Sequence, residues 1–159
     1  MIVVLLGKTS SGKDTVCNQL IQKGYKKLVT YTTRPMRPGE VQDETYHFIN
    51  KEEFETLISK GFFAEYTSYN TEDGAWFYGS AIDDYENNLD QIIILNPSGY
   101  EQILKNLDKE NIISFYIYSN IKTIKNRLKK RGDKKEEAER RIEADLVDFK
   151  GMENKVDHI

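Results

Sequence analysis

Residues 7–15, Gly-Lys-Thr-Ser-Ser-Gly-Lys-Asp-Thr, place two glycines five apart and a lysine directly after the second. They follow the apolar run Met1–Leu6 and open onto a segment with Val16, Leu20 and Ile21 on one helical stripe and a stop signal at Gly24. In a strand, glycine-rich turn and helix start of this kind, main-chain N–H groups converge on an anion at the positive end of the helix. Lys13 would then bridge the β- and γ-phosphates of a nucleoside triphosphate, with Gly7, Ser10, Ser11, Gly12, Asp14 and Thr15 around the chain of phosphates. The position after the lysine ordinarily carries a hydroxyl that binds Mg²⁺. Here it carries a carboxylate, Asp14, and the hydroxyl comes one step later at Thr15.

A second constellation lies in residues 32–49, where Arg34 and Arg37 stand three apart in a loop stiffened by Pro35 and Pro38, followed by Tyr46 and Phe48. Two guanidiniums so spaced can fork around one phosphate, and a tyrosine hydroxyl can add a bond. The chain therefore offers two anion sites, one for a triphosphate and one for a smaller phosphorylated molecule.

The elements that must position these residues alternate. Buried-type apolar runs (Ile2–Leu6, Gln91–Asn96, Ile112–Ser119) are separated by amphipathic helical segments (14–24, 98–108, 120–132 and 134–149). This pattern predicts a parallel α/β sheet flanked by helices. Lys26–Thr33 reads as a second strand, and a helix from 98 takes Ser98 as its cap. Residues 34–80, with shorter and more polar strands and a helix over 51–61, read as a mostly-β insertion; residues 70–76 are turn-like. The final Lys155–Ile159 reads as the start of a strand. At 159 residues with 38% hydrophobic and 31% charged content, the chain is expected to form one soluble domain. A net charge of −3 gives no reason to expect a nucleic-acid polymer or an anionic membrane as partner. The single Cys17 fits a reducing cytoplasm, and the N-terminal apolar run is too short for a signal or a membrane span. Nothing in the sequence selects between a monomer and a homodimer.

The stretch Thr-Thr-Arg-Pro-Met-Arg-Pro-Gly-Glu (32–40) with Tyr46-His47-Phe48-Ile49, downstream of the phosphate loop, resembles the guanylate kinase signature, and the resemblance covers nearly the whole chain. It implies a P-loop kinase core (1–33, 81–125, 142–159), a monophosphate-binding insertion (34–80) and a helical lid (126–141). It also implies transfer of the γ-phosphate of ATP to GMP or dGMP, with Mg²⁺. Arg34, Arg37, Tyr46 and Tyr78 would hold the acceptor phosphate. Glu65 would accept from the guanine N1–H and amino group, with Thr30, Ser80 and Asn96 near the base. Arg131 and Arg141 would close on the transferring group, with Arg140 or Arg127 as substitutes, and Gly132 would be the hinge.

The chain departs from the family pattern at several points. Asp43 stands where the family has glycine, and the segment between Glu65 and Tyr78 is about four residues longer. The lid loop is one residue shorter. At the end of the second apolar run, where the family carries two acids, stand Ile94 and Asn96. The resemblance further implies the rest of a strand and a final helix beyond Ile159, so the chain is expected to be either a minimal, phage-type member or a fragment. With no acid at 94 or 96, Asp14 is the expected Mg²⁺ ligand, directly or through water. Two other readings compete with a GMP kinase: an inactive phosphopeptide-binding module using Arg34 and Arg37, and a kinase of this fold for another phosphorylated acceptor.

Overall fold

A computed structural model describes residues 1–71, 74–86 and 88–159. Strand β1 (Ile2–Leu6) is buried along its whole length and lies in the middle of a four-stranded parallel sheet. Its neighbours are β7 (Gln91–Ile94) and β8 (Ile112–Tyr116), and β2 (Lys26–Lys27) pairs with β7 at the edge. The edge strand is two exposed lysines, which discourages pairing with another chain. Successive side chains of β1 alternate between two cores. Ile2, Val4 and Leu6 meet Tyr100 and Ile103 of α3 (Pro97–Asn106) on one face, while Val3 and Leu5 meet Cys17 of α1 (Lys13–Gln22) on the other. Both faces being covered is why the strand carries no polar residue.

The segment read as one strand over 26–33 is two. Lys26–Lys27 belongs to the parallel sheet, and β3 (Tyr31–Thr32) belongs to a second sheet of order β4-β3-β6-β5. That sheet comprises β4 (His47–Phe48) and the long hairpin β5 (Phe63–Thr71) and β6 (Gly74–Ala81). Its core is aromatic: Phe54 of α2 (Lys51–Ser59) stacks on Phe63 at 4.4 Å, and Tyr31 packs edge-on to Phe62 and Phe63. The hairpin is longer than the sequence suggests, because Gly74–Trp76 are strand rather than turn. Asn70 and Thr71 of that expected turn likewise belong to β5, and residues 72 and 73 lie outside the described residues.

Helices α4 (Ile121–Arg131) and α5 (Lys135–Asp148) form an antiparallel-type pair joined at Gly132, which holds the left-handed φ of 86° that ends α4. Ile124, Leu128 and Ile142 bind the pair together. The last residues add one isolated parallel bridge, Phe115 to His158, where a strand was expected. Among the described residues no helix is long and apolar enough to cross a membrane.

Candidate active site

The loop at residues 7–12 is shaped by its backbone. Gly7 has φ 153°, and a Cβ there would lie 2.6 Å from the Ile117 carbonyl oxygen, so the residue must be glycine to pass β8. Ser10 adopts φ 52° and Gly12 φ 112°, which turn successive N–H groups inward. No side chain caps α1, so its first N–H groups stay available to an anion. Arg127 braces the loop from outside, its Nη1 donating to the carbonyls of Ser10 (2.9 Å) and Ser11 (2.8 Å).

Lys13 Nζ donates to the carbonyls of Gly7 (2.6 Å) and Lys8 (2.8 Å), which folds it over the loop it serves. Burial lowers its pKa, and the charges of Asp14 and Asp145 oppose that. Asp14 is exposed in the first turn of α1, and its charge is felt by Tyr46 and Arg131 as well as Lys13. Its charge thus reaches Lys13 in the loop, Tyr46 beside β4 and Arg131 at the end of α4. Thr15 is exposed on the same turn. A carboxylate oxygen suits a hard cation, and Mg²⁺ needs only one or two beside nucleotide phosphates. Among the described residues no group of three or more His, Cys, Asp or Glu could hold a metal by itself. Asp14 offers one such oxygen to a cation held mainly by nucleotide phosphates.

Asp145 was not anticipated. Its Oδ2 accepts from the Thr9 N–H at 2.5 Å, so helix α5 is tied to the phosphate loop across 136 residues of sequence. Burial raises this carboxyl, and the Thr9 amide holds it back. Arg141, Asp145 and Asp148 lie at i, i+4 and i+7, one face of α5, and that spacing was the available clue. A carboxylate on a loop amide competes with phosphate oxygens for it. Asp145→Asn is expected to tighten ATP binding several-fold, about 1 kcal/mol, by removing the charge while keeping the shape. Calorimetric titration with ATP checks this, and unchanged or weaker binding refutes it.

In the insertion, Arg34 is only 5% exposed and pairs bidentately with Glu40, at 3.0 Å and 2.6 Å. Its guanidinium carbon stands 5.5 Å from the Tyr46 ring centroid and 5.7 Å from that of Phe48. The stack and the fork fix its plane. Glu40 also accepts from the Arg37 N–H at 2.7 Å, which closes the Pro-stiffened loop; the exposed Arg37 guanidinium has no bonded partner among the described residues. Tyr46, Tyr78 and Tyr69 then follow as a row of rings, 6.1 Å and 5.8 Å apart.

That row leads to a second buried charge. Glu65 is 4% exposed and sits one residue past the irregularity in the β5–β6 pairing. Its Oε1 accepts from Ser80 Oγ at 2.8 Å. Burial raises its pKa to about 7, against the pull of the Ser80 hydroxyl and amide. The other oxygen, Oε2, faces Gly99 so closely that a Cβ there would stand 2.8 Å away. Gly99 lies in the first turn of α3, and the cap of that helix is Asn96, not Ser98: Asn96 Oδ1 accepts from the Gly99 N–H at 2.8 Å. Asn96 Nδ2 donates to the Tyr69 hydroxyl at 2.6 Å, so both ends of the amide are engaged. Thr30 is tied instead to β4, its carbonyl accepting from the His47 N–H at 2.9 Å.

The lid arginines share carboxylates. Arg131 grips Asp133 through Nε and Nη2, and Arg141 reaches Asp133 at 3.5 Å and Glu137 at 2.7 Å. Arg140 also pairs with Glu137, and the two guanidiniums hold that carboxyl down to about 2.

A glycine-rich loop on a parallel sheet, with an inserted second sheet and an arginine-bearing helical pair, defines a P-loop α/β nucleotide-binding protein. The guanylate kinase family profile matches residues 1–158. Guanylate kinases of Clostridium tetani and Clostridioides difficile are 33% and 32% identical to it, over 87% and 94% of this chain and 66% and 74% of their own length. The crystal structure of guanylate kinase from Anaplasma phagocytophilum superposes with a TM-score of 0.74 at 24% identity, covering 99% of this chain and 74% of that one. The chain belongs to the guanylate kinase family. It spans about two thirds to three quarters of the length of these relatives.

Proposed function

We propose that the chain transfers the γ-phosphate of ATP to GMP or dGMP, giving ADP and GDP or dGDP. The observation that carries this reading is the buried Glu65, held by Ser80 in the same domain as the phosphate loop. A carboxylate so placed has one oxygen engaged and wants donors at the other, and guanine presents N1–H and an amino group on one edge. Adenine presents no such pair and would leave the charge unmatched.

The chemistry is in-line. An oxygen of the acceptor phosphate forms a bond to the γ-phosphorus while the bond to the β–γ bridging oxygen breaks, and ADP leaves with that electron pair; no protein atom is bonded on the way. The loop amides and Lys13 hold the donor. Arg34, Arg37, Tyr46 and Tyr78 orient the acceptor phosphate. Arg131 and Arg141 exchange Asp133 and Glu137 for the oxygens that gain charge as the phosphoryl group transfers. Asp14 would hold Mg²⁺, which when bound neutralises the β- and γ-phosphates. A cytoplasmic setting suits the single, buried Cys17.

A coupled ADP-release assay with a panel of nucleoside monophosphates tests the acceptor, and turnover with none of them refutes the reading. Asp14→Ala, which leaves neither a carboxylate nor a hydroxyl at that position, tests the metal role. Its expected result is a several-fold rise in the Mg²⁺ concentration needed for half-maximal rate and weaker Mn²⁺ binding by paramagnetic relaxation in the presence of ADP. Unchanged values in both leave Asp14 only a helix-terminus charge.

A further inference from the structure

We propose that Tyr85 is a specificity-positioning residue of the acceptor pocket: its phenol fixes the Ser80 hydroxyl as a donor to Glu65 and so reserves the second carboxylate oxygen for the base. The inference rests on the guanylate reading given above and names a residue outside the loop, fork and lid.

Tyr85 follows the short 3₁₀ turn Ile82–Asp84 that ends the β5–β6 hairpin. Its ring packs against the core cluster around Ile93, Leu95 and Tyr100, so its position is set by the parallel sheet. Its hydroxyl lies 2.7 Å from Ser80 Oγ, which lies 2.8 Å from Glu65 Oε1. Ser80 is 1% exposed and Glu65 4%.

The proton inventory gives this chain a direction. A serine hydroxyl has one proton, and an ionised carboxylate can only accept. With Glu65 ionised, the Ser80 proton is committed to Oε1, so the short contact to Tyr85 can be made only if the phenol donates. All bonds then point at Glu65. Burial keeps the phenol protonated far above neutral pH, with the Ser80 bond opposing and the charges of Glu65 and Asp84 adding to the rise, so it remains a donor. The groups facing the carboxylate are the Ser80 hydroxyl and amide from β6, Tyr85 beyond the hydroxyl, and Gly99 in the first turn of α3. None of these is a cation. Donated hydrogen bonds are therefore what favours the ionised form against burial, and ionised Glu65 is the form that accepts from guanine.

The test compares the wild-type chain, Tyr85→Phe, Ser80→Ala and the double variant in steady-state kinetics with GMP between pH 6 and 9. Tyr85→Phe is expected to lower kcat/KM for GMP about five- to tenfold, mostly through KM, the effect of one hydrogen bond in a charged chain. The acid limb of kcat/KM should move to higher pH, because the carboxylate has lost support. The phosphate of GMP itself titrates near this range, but identically for every variant, so the displacement between variants reports Glu65. The double variant should be no worse than Ser80→Ala alone, since Tyr85 acts only through Ser80.

An unmoved limb with wild-type KM, or additive losses in the double variant, overturns the role. If Tyr85→Phe does not fold, a ring-fluorinated tyrosine at position 85 supplies a stronger donor of the same shape. It should move the limb to lower pH, and an unmoved limb again overturns the proposal. A wild-type chain that does not phosphorylate GMP overturns the acceptor reading instead, so the two failures are distinct.

Discussion

Lys13→Ala is expected to lower turnover about a thousandfold while leaving GMP binding within twofold, because the charge proposed to meet the β- and γ-phosphates is lost and the proposed acceptor pocket is elsewhere. Two features of the structure sharpen that expectation. The ammonium donates to the carbonyls of Gly7 and Lys8, so the side chain also ties the loop's first turn together. It is buried enough for its pKa to fall, which makes each contact stronger than the same contact in water. Lys13→Arg should not restore activity, since a planar fork cannot occupy the same narrow turn. Single-turnover rates with saturating ATP, read beside thermal melts of the variants, check the result. A loss below tenfold would remove Lys13 from the phosphate-stabilising role.

Glu65→Gln should have opposite effects on stability and on selectivity. The Glu65 carboxyl titrates near 7 in the folded chain against an ordinary 4.5. Between those values the folded chain holds a proton that the unfolded chain has released, so stability falls as pH rises across that window and levels off above it. The difference is worth roughly 3 kcal/mol at pH 8 and vanishes below pH 4. An amide removes the buried charge and can still accept from Ser80. The variant should therefore melt several degrees higher than wild type at pH 8 and at the same temperature near pH 4. Its preference for GMP over AMP should shrink by about 2–4 kcal/mol, a factor near a hundred. Equal melting at pH 8 would place the charge somewhere better solvated than the structure indicates. Undiminished preference would move base recognition to other residues.

The glycine-rich turn, the buried strands of the parallel sheet and the helices between them were legible in the sequence because each element is a run of contiguous residues whose spacing carries the physics. The boundaries that failed did so at element junctions. Residues 26–33 look like one strand, yet the polypeptide passes from one sheet to another between Lys27 and Tyr31, and nothing local marks a change of sheet. Ser98 looked like a helix cap because serine caps well. Asn96 caps better from two residues earlier, with Pro97 at the first helical position to fix the turn. The contacts that were invisible all depend on packing, whether across more than a hundred residues or, for Tyr85 and Ser80, across five. Asp145 meets Thr9, Arg127 meets the carbonyls of Ser10 and Ser11, and Tyr85 meets Ser80 only once helices and sheet are packed. The ion pairs of Arg131 and Arg141 with Asp133 are nearer in sequence, but a charged run offers many pairings and selects none.

The lid also changes how the molecule looks from a distance. The whole chain carries a net charge of −3, yet residues 127–141 hold eight Lys and Arg against four Asp and Glu. Positive potential is therefore concentrated on one end of an otherwise acidic body. A polyanion diffusing toward this protein is repelled by most of its surface and drawn to that end, over a range set by the ionic strength, about 8 Å under physiological salt. On the proposed function, encounter is in this way biased toward the helices that would close over the nucleotide, and the charges proposed to complete the transfer would also select the direction of approach.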